Sequence, residues 1–118
     1  MDLDDALLSL AALAQGTRLE VFRLLAAHEP EGLAAGEIAR RLAVPHNTLS
    51  SHLAILARAG LIGAERRSRT IIYRASLEHF GALASYLLKD CCGGRPEVCA
   101  PLVEALTPCC SSPETEHA

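Results

Sequence analysis

Residues 36–74 constrain the fold of this chain more than any other segment. Their apolar residues form two short sets with helical spacing, Ile38 and Leu42 first, and then Leu49, Leu53 and Leu56. Side chains three and four residues apart lie on one face of an α-helix, so each set predicts a short helix that turns an apolar stripe to a common core. Pro45 stands where the second helix would start, at a position that needs no backbone donor.

The segment after the second helix predicts a β-hairpin. Gly60 ends the helix, and residues 62–66 are expected to pair with residues 70–74, where Thr, Ile, Ile and Tyr in a row favour a strand. The turn between the two strands is basic and contains Arg66, Arg67 and Arg69. A buried turn would not carry three arginines, so this one is expected to be an exposed tip. Two helices followed by such a hairpin predict a winged helix-turn-helix, which is a mainly α fold with a small β-hairpin wing.

The positive charge of the chain is concentrated in the same segment. Residues 36–74 contain seven arginines and two glutamates, a net charge of +5, whereas the remainder has four basic and twelve acidic residues, a net charge of −8. A local positive surface on an acidic body suits a protein that binds double-stranded DNA, because the field at the contact face sets the affinity for phosphate. The second helix of this segment also has short polar side chains outside its apolar stripe, and these can reach phosphates and base edges. These are His46, Asn47, Thr48, Ser50, Ser51 and His52.

The first helix is apolar on more than one side. Leu3, Leu7 and Leu10 fall on one side of it. Leu8 and Leu13 lie elsewhere on its circumference. A helix with two apolar sides needs two apolar partners, so one side is predicted to pack on a second subunit, and the chain is predicted to form a homodimer.

Polar residues predict where two further helices begin. Thr17 and Glu20 have the spacing of a capping box at the start of the second helix of the chain. Ser76 is expected to cap the last helix, with Glu78 and His79 facing outward in its first turn. The predicted order is therefore four helices, the two strands of the wing and a fifth helix.

Hydropathy and length limit the class of protein. No apolar run approaches the length of a membrane span, and the N-terminus, MDLDDALLSL, is acidic where a secretion signal would be basic. The chain is therefore expected in the cytoplasm, without a membrane partner. We predict a winged-helix DNA-binding and dimerisation domain over residues 1–92 and a cysteine-containing tail over residues 93–118.

All five cysteines lie beyond residue 90, and such clustering in a cytoplasmic protein indicates ligand binding or redox chemistry. Cys91 and Cys92 precede two glycines, which allow the chain to turn back so that Cys99 can approach them. Three thiolates together form a soft, sulfur-only site, which suits trivalent arsenic or antimony. Zinc would need a fourth ligand. Cys109 or Cys110 could supply it, so zinc, cadmium and lead remain alternatives.

These residues resemble the ArsR/SmtB family of metal-responsive winged-helix repressors. The resemblance covers residues 4–90, and its most specific parts are LAQGTRLEVFRLL, the run GEIARRLAVPHNTLSSHLAILARAGLI, and a wing that ends in IIYR. It implies a homodimer, with the first and last helices at the interface, that represses an operon until an inducer binds. It also implies a recognition helix over residues 45–58, whose six polar residues contact DNA together with the three arginines of the wing.

Departures from the familiar family members narrow the expected inducer. The best-known arsenic repressors carry cysteines at the start of the recognition region, and this chain has none between residues 36 and 51. Zinc sensors of the family carry acidic and histidine ligands on the last helix. His79 and Asp90 are present here, but Leu77 and Gly93 occupy the other ligand positions. The chain resembles the arsenite-responsive subgroup that has a vicinal cysteine pair and a third cysteine beyond the last helix, here Cys91, Cys92 and Cys99.

The expected function is therefore an arsenite-responsive repressor that releases operator DNA when As(III), or Sb(III), binds these thiolates. Methylarsenite, for which two thiols suffice, a soft divalent metal and thiol oxidation are alternative signals. A thiol-dependent arsenate reductase is a more remote alternative, because it needs a cysteine in a phosphate-like cradle or a C-x-x-C pair, and neither occurs. The chain is thus not expected to be an enzyme.

Overall fold

The computed structural model of this chain describes residues 1–92, with the side chains of residues 1–88. Within them lie five helices and a three-stranded antiparallel sheet, and the predicted winged helix-turn-helix is confirmed. The elements are α1 (Leu3–Leu13), α2 (Gly16–Ala27), β1 (Leu33–Ala34), α3 (Ala35–Leu42), α4 (His46–Arg58), β2 (Ile62–Arg67), β3 (Thr70–Ala75) and α5 (Leu77–Cys92). Strand β1 was not predicted. Residues Met1–Leu83 form one compact unit, and a second unit begins at Ala84.

Helix α1 begins with a reciprocal capping box. The backbone N–H of Asp5 donates to Oδ1 of Asp2 at 2.8 Å, and the N–H of Asp2 donates to Oδ2 of Asp5 at 3.4 Å. Each carboxylate thus satisfies a donor that the helix leaves without an internal partner. The bond from the Asp5 backbone lowers the pKa of the Asp2 carboxyl below its ordinary value.

Helix α2 begins earlier than the sequence predicts, and the expected capping box of Thr17 and Glu20 is wrong. The cap is Gln15, whose side-chain oxygen accepts the backbone N–H of Arg18 at 2.9 Å. Thr17 therefore lies inside the first turn. The predicted cap of α5 is confirmed, since the N–H of His79 donates to Oγ of Ser76 at 3.2 Å.

The core lies between α2, α3, α4 and the start of β2. The predicted stripe of α4 is buried, with Leu49, Leu53 and Leu56 no more than 3% exposed. Ile38 of α3 is fully buried against it. Each such side chain contributes roughly 1.5–3 kcal/mol relative to an exposed one, so the helix-turn-helix is held from its inner side.

The sheet has the strand order β1-β3-β2. Strands β2 and β3 pair from Ile62 opposite Ala75 to Arg67 opposite Thr70, which leaves a two-residue loop at the wing tip. Ser68 has a φ of 58°, in the left-handed region that such short loops require. None of the described helices combines the length and the apolar content needed to cross a bilayer.

The turn before β1 packs directly against the backbone of β3. Gly32 has a φ of 74°, and a Cβ atom added to it would lie 2.5 Å from the carbonyl oxygen of Tyr73. Any other residue would therefore clash as well as strain the backbone. This close approach brings Leu33 opposite Tyr73, so that β1 becomes the third strand.

Candidate nucleic-acid interface

Helix α4 has an outer row of polar side chains opposite its buried stripe. Five of its six predicted DNA-contacting residues are exposed, namely His46, Asn47, Thr48, Ser50 and Ser51. The outer row continues with two further residues of the helix, Ala54 and Arg58, which are also exposed. Short polar groups on an unobstructed helix face have the reach and the donors to contact base edges and phosphates in a major groove.

The first turn of α4 is open to an anionic partner. Pro45 is its N-cap and supplies no side-chain hydrogen bond, and the turn has no acidic residue. The N–H of Thr48 is satisfied locally by Oδ1 of Asn47 at 2.9 Å. The partial positive charge of a helix N-terminus favours phosphate, so the absence of a carboxylate keeps this end suited to DNA.

His52, the sixth predicted contact, lies in a different environment from the other five. It is half-buried, and its Nδ1 lies 3.3 Å from Nη1 of Arg18. Arg18 also donates from Nε to the carbonyl oxygen of Ala12 at 2.6 Å and from Nη2 to that of Ala11 at 3.4 Å. His52 therefore stands at the edge of the outer row, where α4 meets the junction of α1 and α2.

The arginines of residues 36–74 divide into paired and unpaired groups. Glu37 pairs with Arg40 and Arg41, Glu65 with Arg67 at 3.2 Å, and Glu29 with Arg74 at 2.7 Å. Among the residues that the structure describes, no acidic oxygen lies within 4.0 Å of the remaining three, Arg58, Arg66 and Arg69. Three positive charges without an acidic partner in the described part of the chain thus lie at the end of α4 and at the wing.

Arg58 was not predicted as a DNA contact, although the sequence contains the signal. It stands eleven residues after Asn47, and that interval returns an α-helix to the same face. Extending the polar row by helical spacing would have included it. Arg58 is exposed and lies in the last turn of α4, so its guanidinium can reach a phosphate beside the groove.

Arg74 has a structural role. Its Nη2 and Nε donate to the two carboxylate oxygens of Glu29 at 2.7 and 3.3 Å, and these hydrogen bonds raise the pKa of the guanidinium. A bidentate pair of this kind fixes geometry as well as charge. The pair holds the α2–β1 turn against β3, at the base of the wing.

His79 does not face outward, and that prediction is wrong. Its Nε2 lies 2.9 Å from Oγ of Ser9, a fully buried residue of α1 whose hydroxyl also donates to the carbonyl oxygen of Ala59 at 3.5 Å. The imidazole covers Gly60, where an added Cβ would lie 2.9 Å from its Cε1 atom. A buried hydroxyl requires a partner, and the missing side chain at Gly60 leaves room for the ring.

The predicted metal ligands lie at the end of α5 and beyond it. Helix α5 ends at Cys92, so Cys91 and Cys92 belong to its last turn. Their thiols, and Cys99, Cys109 and Cys110, lie outside the described residues. Among the side chains that are described, no group of three or more His, Cys, Asp or Glu residues could hold a metal ion.

Two helices of the compact unit expose large apolar side chains. Leu3 and Leu7 of α1 are 59% and 53% exposed, and Leu10 is exposed as well. At the start of α5, Leu77 and Phe80 are exposed. Side chains of this size are more often buried in a monomer, so these positions provide apolar surface for a partner.

Comparison with known proteins gives a consistent result. A family model described as a helix-turn-helix domain matches residues 13–62. The transcriptional activator HlyU of Vibrio cholerae is 32% identical over 87 residues, which covers 74% of this chain and 78% of that protein.

Solved structures extend this similarity. An ArsR-like transcriptional regulator from Rhodococcus superposes with a TM-score of 0.71 over 92% of this chain and 95% of its own, at 24% identity. A homodimeric winged helix-turn-helix DNA-binding domain from Mycobacterium bovis, described as a possible ArsR-family regulator, has a TM-score of 0.62 at 29% identity and covers 73% of this chain and 78% of its own. Each of these proteins is named as a transcriptional regulator or as the DNA-binding domain of one.

Proposed function

The chain belongs to the ArsR/HlyU family of winged-helix transcriptional regulators, and from that premise we propose that it is an arsenite-responsive repressor. In this proposal a homodimer without bound metalloid occupies operator DNA in the cytoplasm. As(III), or Sb(III), then binds the thiolates of Cys91, Cys92 and Cys99, and the dimer releases the operator.

Operator binding is supported above all by the outer row of α4. Five polar side chains, Asn47 and Ser51 among them, are exposed on a helix whose opposite face is buried. Arg58 at the end of this helix and two wing arginines have no acidic partner among the described residues. Polar groups on the helix would read base edges, while the arginines would contact the backbone on either side.

The homodimer is supported by the exposed leucines of α1. Leu3, Leu7 and Leu10 would gain roughly 25 cal/mol for each Å² of apolar surface removed from water. The winged-helix domain from Mycobacterium bovis is described as homodimeric. In a two-fold dimer, two copies of α4 would enter successive major grooves about 34 Å apart.

The metalloid site is supported by the positions and the chemistry of the cysteines. All five follow residue 90, and two of them stand in the last turn of α5. Thiolates are soft ligands, and a three-sulfur set suits a trivalent metalloid better than zinc, which takes four ligands. Drawing Cys99 toward the end of α5 would change the geometry of a helix whose first turn contacts Gly60, just after α4, through His79. A coupling of about 1–3 kcal/mol would lower operator affinity roughly 5- to 150-fold.

Fluorescence anisotropy would test the proposal directly. The reduced protein is bound to a duplex that it has itself selected from a random library, and arsenite is then added. We expect arsenite to lower the affinity of the wild type by about one to two decades. We expect no response from Cys91→Ser, Cys92→Ser or Cys99→Ser, and a wild-type response from the control in which both Cys109 and Cys110 are serine.

Several results would contradict this account of sensing. Continued binding by the wild type at saturating arsenite would reject arsenite as the inducer. A normal response of Cys99→Ser to methylarsenite would favour a two-thiol site. Release by peroxide alone, reversed by a thiol reductant, would favour a disulfide switch.

The direction of regulation needs a separate measurement, because the relative from Vibrio cholerae is named an activator. A reporter gene placed behind the selected operator should be silent in cells that make the protein. Arsenite should raise its expression. Higher expression in the presence of the protein without arsenite would show activation and contradict repression.

A further inference from the structure

We propose that Arg18, which lies outside the helix that reads DNA, is a positioning residue for operator binding and acts through His52. The inference rests on the proposed binding of DNA by α4. In this inference Arg18 determines which ring nitrogen of His52 carries a proton, and therefore whether the ring presents a hydrogen-bond donor or an acceptor to DNA.

The guanidinium of Arg18 is anchored before it reaches α4. Its Nε and Nη2 donate to the carbonyl oxygens of Ala12 and Ala11 at 2.6 and 3.4 Å, in the last turn of α1. The last turn of α1 contains no basic residue of its own, and the carbonyl of Ala11 also accepts the backbone N–H of the C-cap residue Ala14 at 3.2 Å. The N–H of Arg18 is itself held by the side chain of Gln15. The third contact, from Nη1 to His52, therefore starts from a fixed position.

The chemistry of the two groups determines the direction of that contact. A guanidinium has only donors, so Nδ1 of His52, 3.3 Å from Nη1, must accept. A neutral imidazole that accepts at Nδ1 carries its proton on Nε2. A doubly protonated ring would oppose one donor with another and one positive charge with another. Arg18 thus selects a single tautomer, which leaves His52 with an Nε2–H donor.

That donor matches the proposed partner. Phosphate oxygens only accept hydrogen bonds, and the guanine edge in the major groove presents acceptors as well. His52 is half-buried and lies between Ser51 in the outer row and Leu53 in the buried stripe. Arg18 therefore contacts Nδ1 on the side of the ring that faces the protein, and Nε2 is left to contact DNA at the edge of the outer row.

A double-mutant cycle tests whether Arg18 acts through His52. The variants are Arg18→Gln, His52→Ala and the double variant, and the duplex is the one selected by the wild type. We expect each single variant to bind about tenfold more weakly, as the loss of one charge-assisted hydrogen bond implies. We expect the double variant to bind no more weakly than His52→Ala alone. Arg23→Gln removes the same charge from an exposed position of α2 and serves as the control, with affinity expected within about twofold of the wild type.

Nitrogen NMR of the ring provides a readout that a general loss of stability would not reproduce. At about pH 8, where imidazole is neutral, His52 of the wild type should show a protonated Nε2 and an unprotonated Nδ1. In Arg18→Gln the ring should show a mixture of the two tautomers. The wild-type spectrum needs no variant, so it tests the inference even if Arg18→Gln does not fold.

Two outcomes would overturn this inference alone. One is a protonated Nδ1 on His52 of the wild type. The other is additive losses in the double variant of a protein that binds its selected duplex, because additivity means that Arg18 does not act through His52. A wild type that selects no duplex would overturn operator binding itself, and this inference with it.

Discussion

Helices α1 and α4 each bury one side against the core, but their exposed sides carry different kinds of side chain. Each has a buried row that faces the core, Ala6, Ser9 and Ala12 in α1 and Leu49, Leu53 and Leu56 in α4. The outer row of α1 is leucine, whereas the outer row of α4 is asparagine, serine and arginine. Amphipathic packing explains why both are helices in this fold. It does not explain what either helix contacts outside the fold.

The outer rows differ in the partner from which each can gain free energy. Exposed leucines gain only when another apolar surface removes them from water. The side chains of α4 are already satisfied by water, so they gain only from a partner with matching acceptors and opposite charge, such as DNA. Under the proposed function, α1 would therefore assemble the protein and α4 would bind its target.

The largest effect is expected when the outer row of α1 is made polar. Leu3→Glu combined with Leu7→Glu should convert the dimer to a monomer, because carboxylates would have to be buried at the interface. Operator affinity should fall about 100-fold or more, since a monomer loses the second recognition helix. Sedimentation velocity gives the assembly state, and anisotropy gives the affinity.

A matched control tests whether the effect belongs to α1. Leu19 of α2 is 43% exposed, similar to the 53% of Leu7, so Leu19→Glu makes the same kind of substitution at another exposed leucine and adds one of the two charges of the α1 variant. This variant should remain a dimer with unchanged affinity. Dissociation of Leu19→Glu would extend the interface to α2, and a dimeric Leu3→Glu/Leu7→Glu protein would remove the distinction between the two outer rows.

The sequence predicts these features to different degrees, and the range of the interactions explains why. The stripes of α3 and α4 follow the helical period, and the second strand of the wing is a run of β-favouring residues, so both could be predicted from local sequence. Strand β1 has two residues and no period, and it exists because Gly32 lets the chain approach β3. The capping-box pattern requires Ser or Thr at the cap, so it selects Thr17. It does not select Gln15, although the side chain of Gln15 accepts the N–H of Arg18.

The surroundings of His52 and His79 are set by residues that are distant in the sequence, which is why the sequence did not predict them. His52 meets Arg18 across 34 residues, and His79 meets Ser9 across 70. Helical spacing assigns a side chain to a face but not to a partner on another element. The polar set of α4 was therefore predicted as one group, although the structure separates His52 from the other five.

A smaller effect is expected within the wing, where two neighbouring arginines differ in pairing. Arg69→Ala should weaken operator binding several-fold and lower the salt-dependence slope by about one, as for the loss of one phosphate contact. Arg67→Ala should have less effect, because Glu65 at 3.2 Å already offsets its charge. Salt titrations of the anisotropy signal measure both. Equal slopes for the two variants would mean that DNA separates Arg67 from Glu65, and the pairing would not predict which arginines bind.

The smallest effect on operator binding is expected from the inner rows, where Ser9→Ala acts on stability instead. The hydroxyl of Ser9 contacts His79 at 2.9 Å and the carbonyl oxygen of Ala59 at 3.5 Å, and the residue is fully buried. Its loss leaves these polar groups without a partner, which should lower the free energy of unfolding by about 1–2 kcal/mol. Urea unfolding at one fixed protein concentration measures this, because dimer stability depends on concentration.

Ser51→Ala is the matched control, since it makes the same substitution in the outer row of α4. It should change the free energy of unfolding by less than about 0.5 kcal/mol, as expected for an exposed residue, while lowering operator affinity. Ser9→Ala should do the opposite. The contrary result would be weaker DNA binding by Ser9→Ala at unchanged stability. It would mean that the contact between Ser9 and Ala59 affects DNA binding by α4, so that the inner side of α1 also contributes to that function.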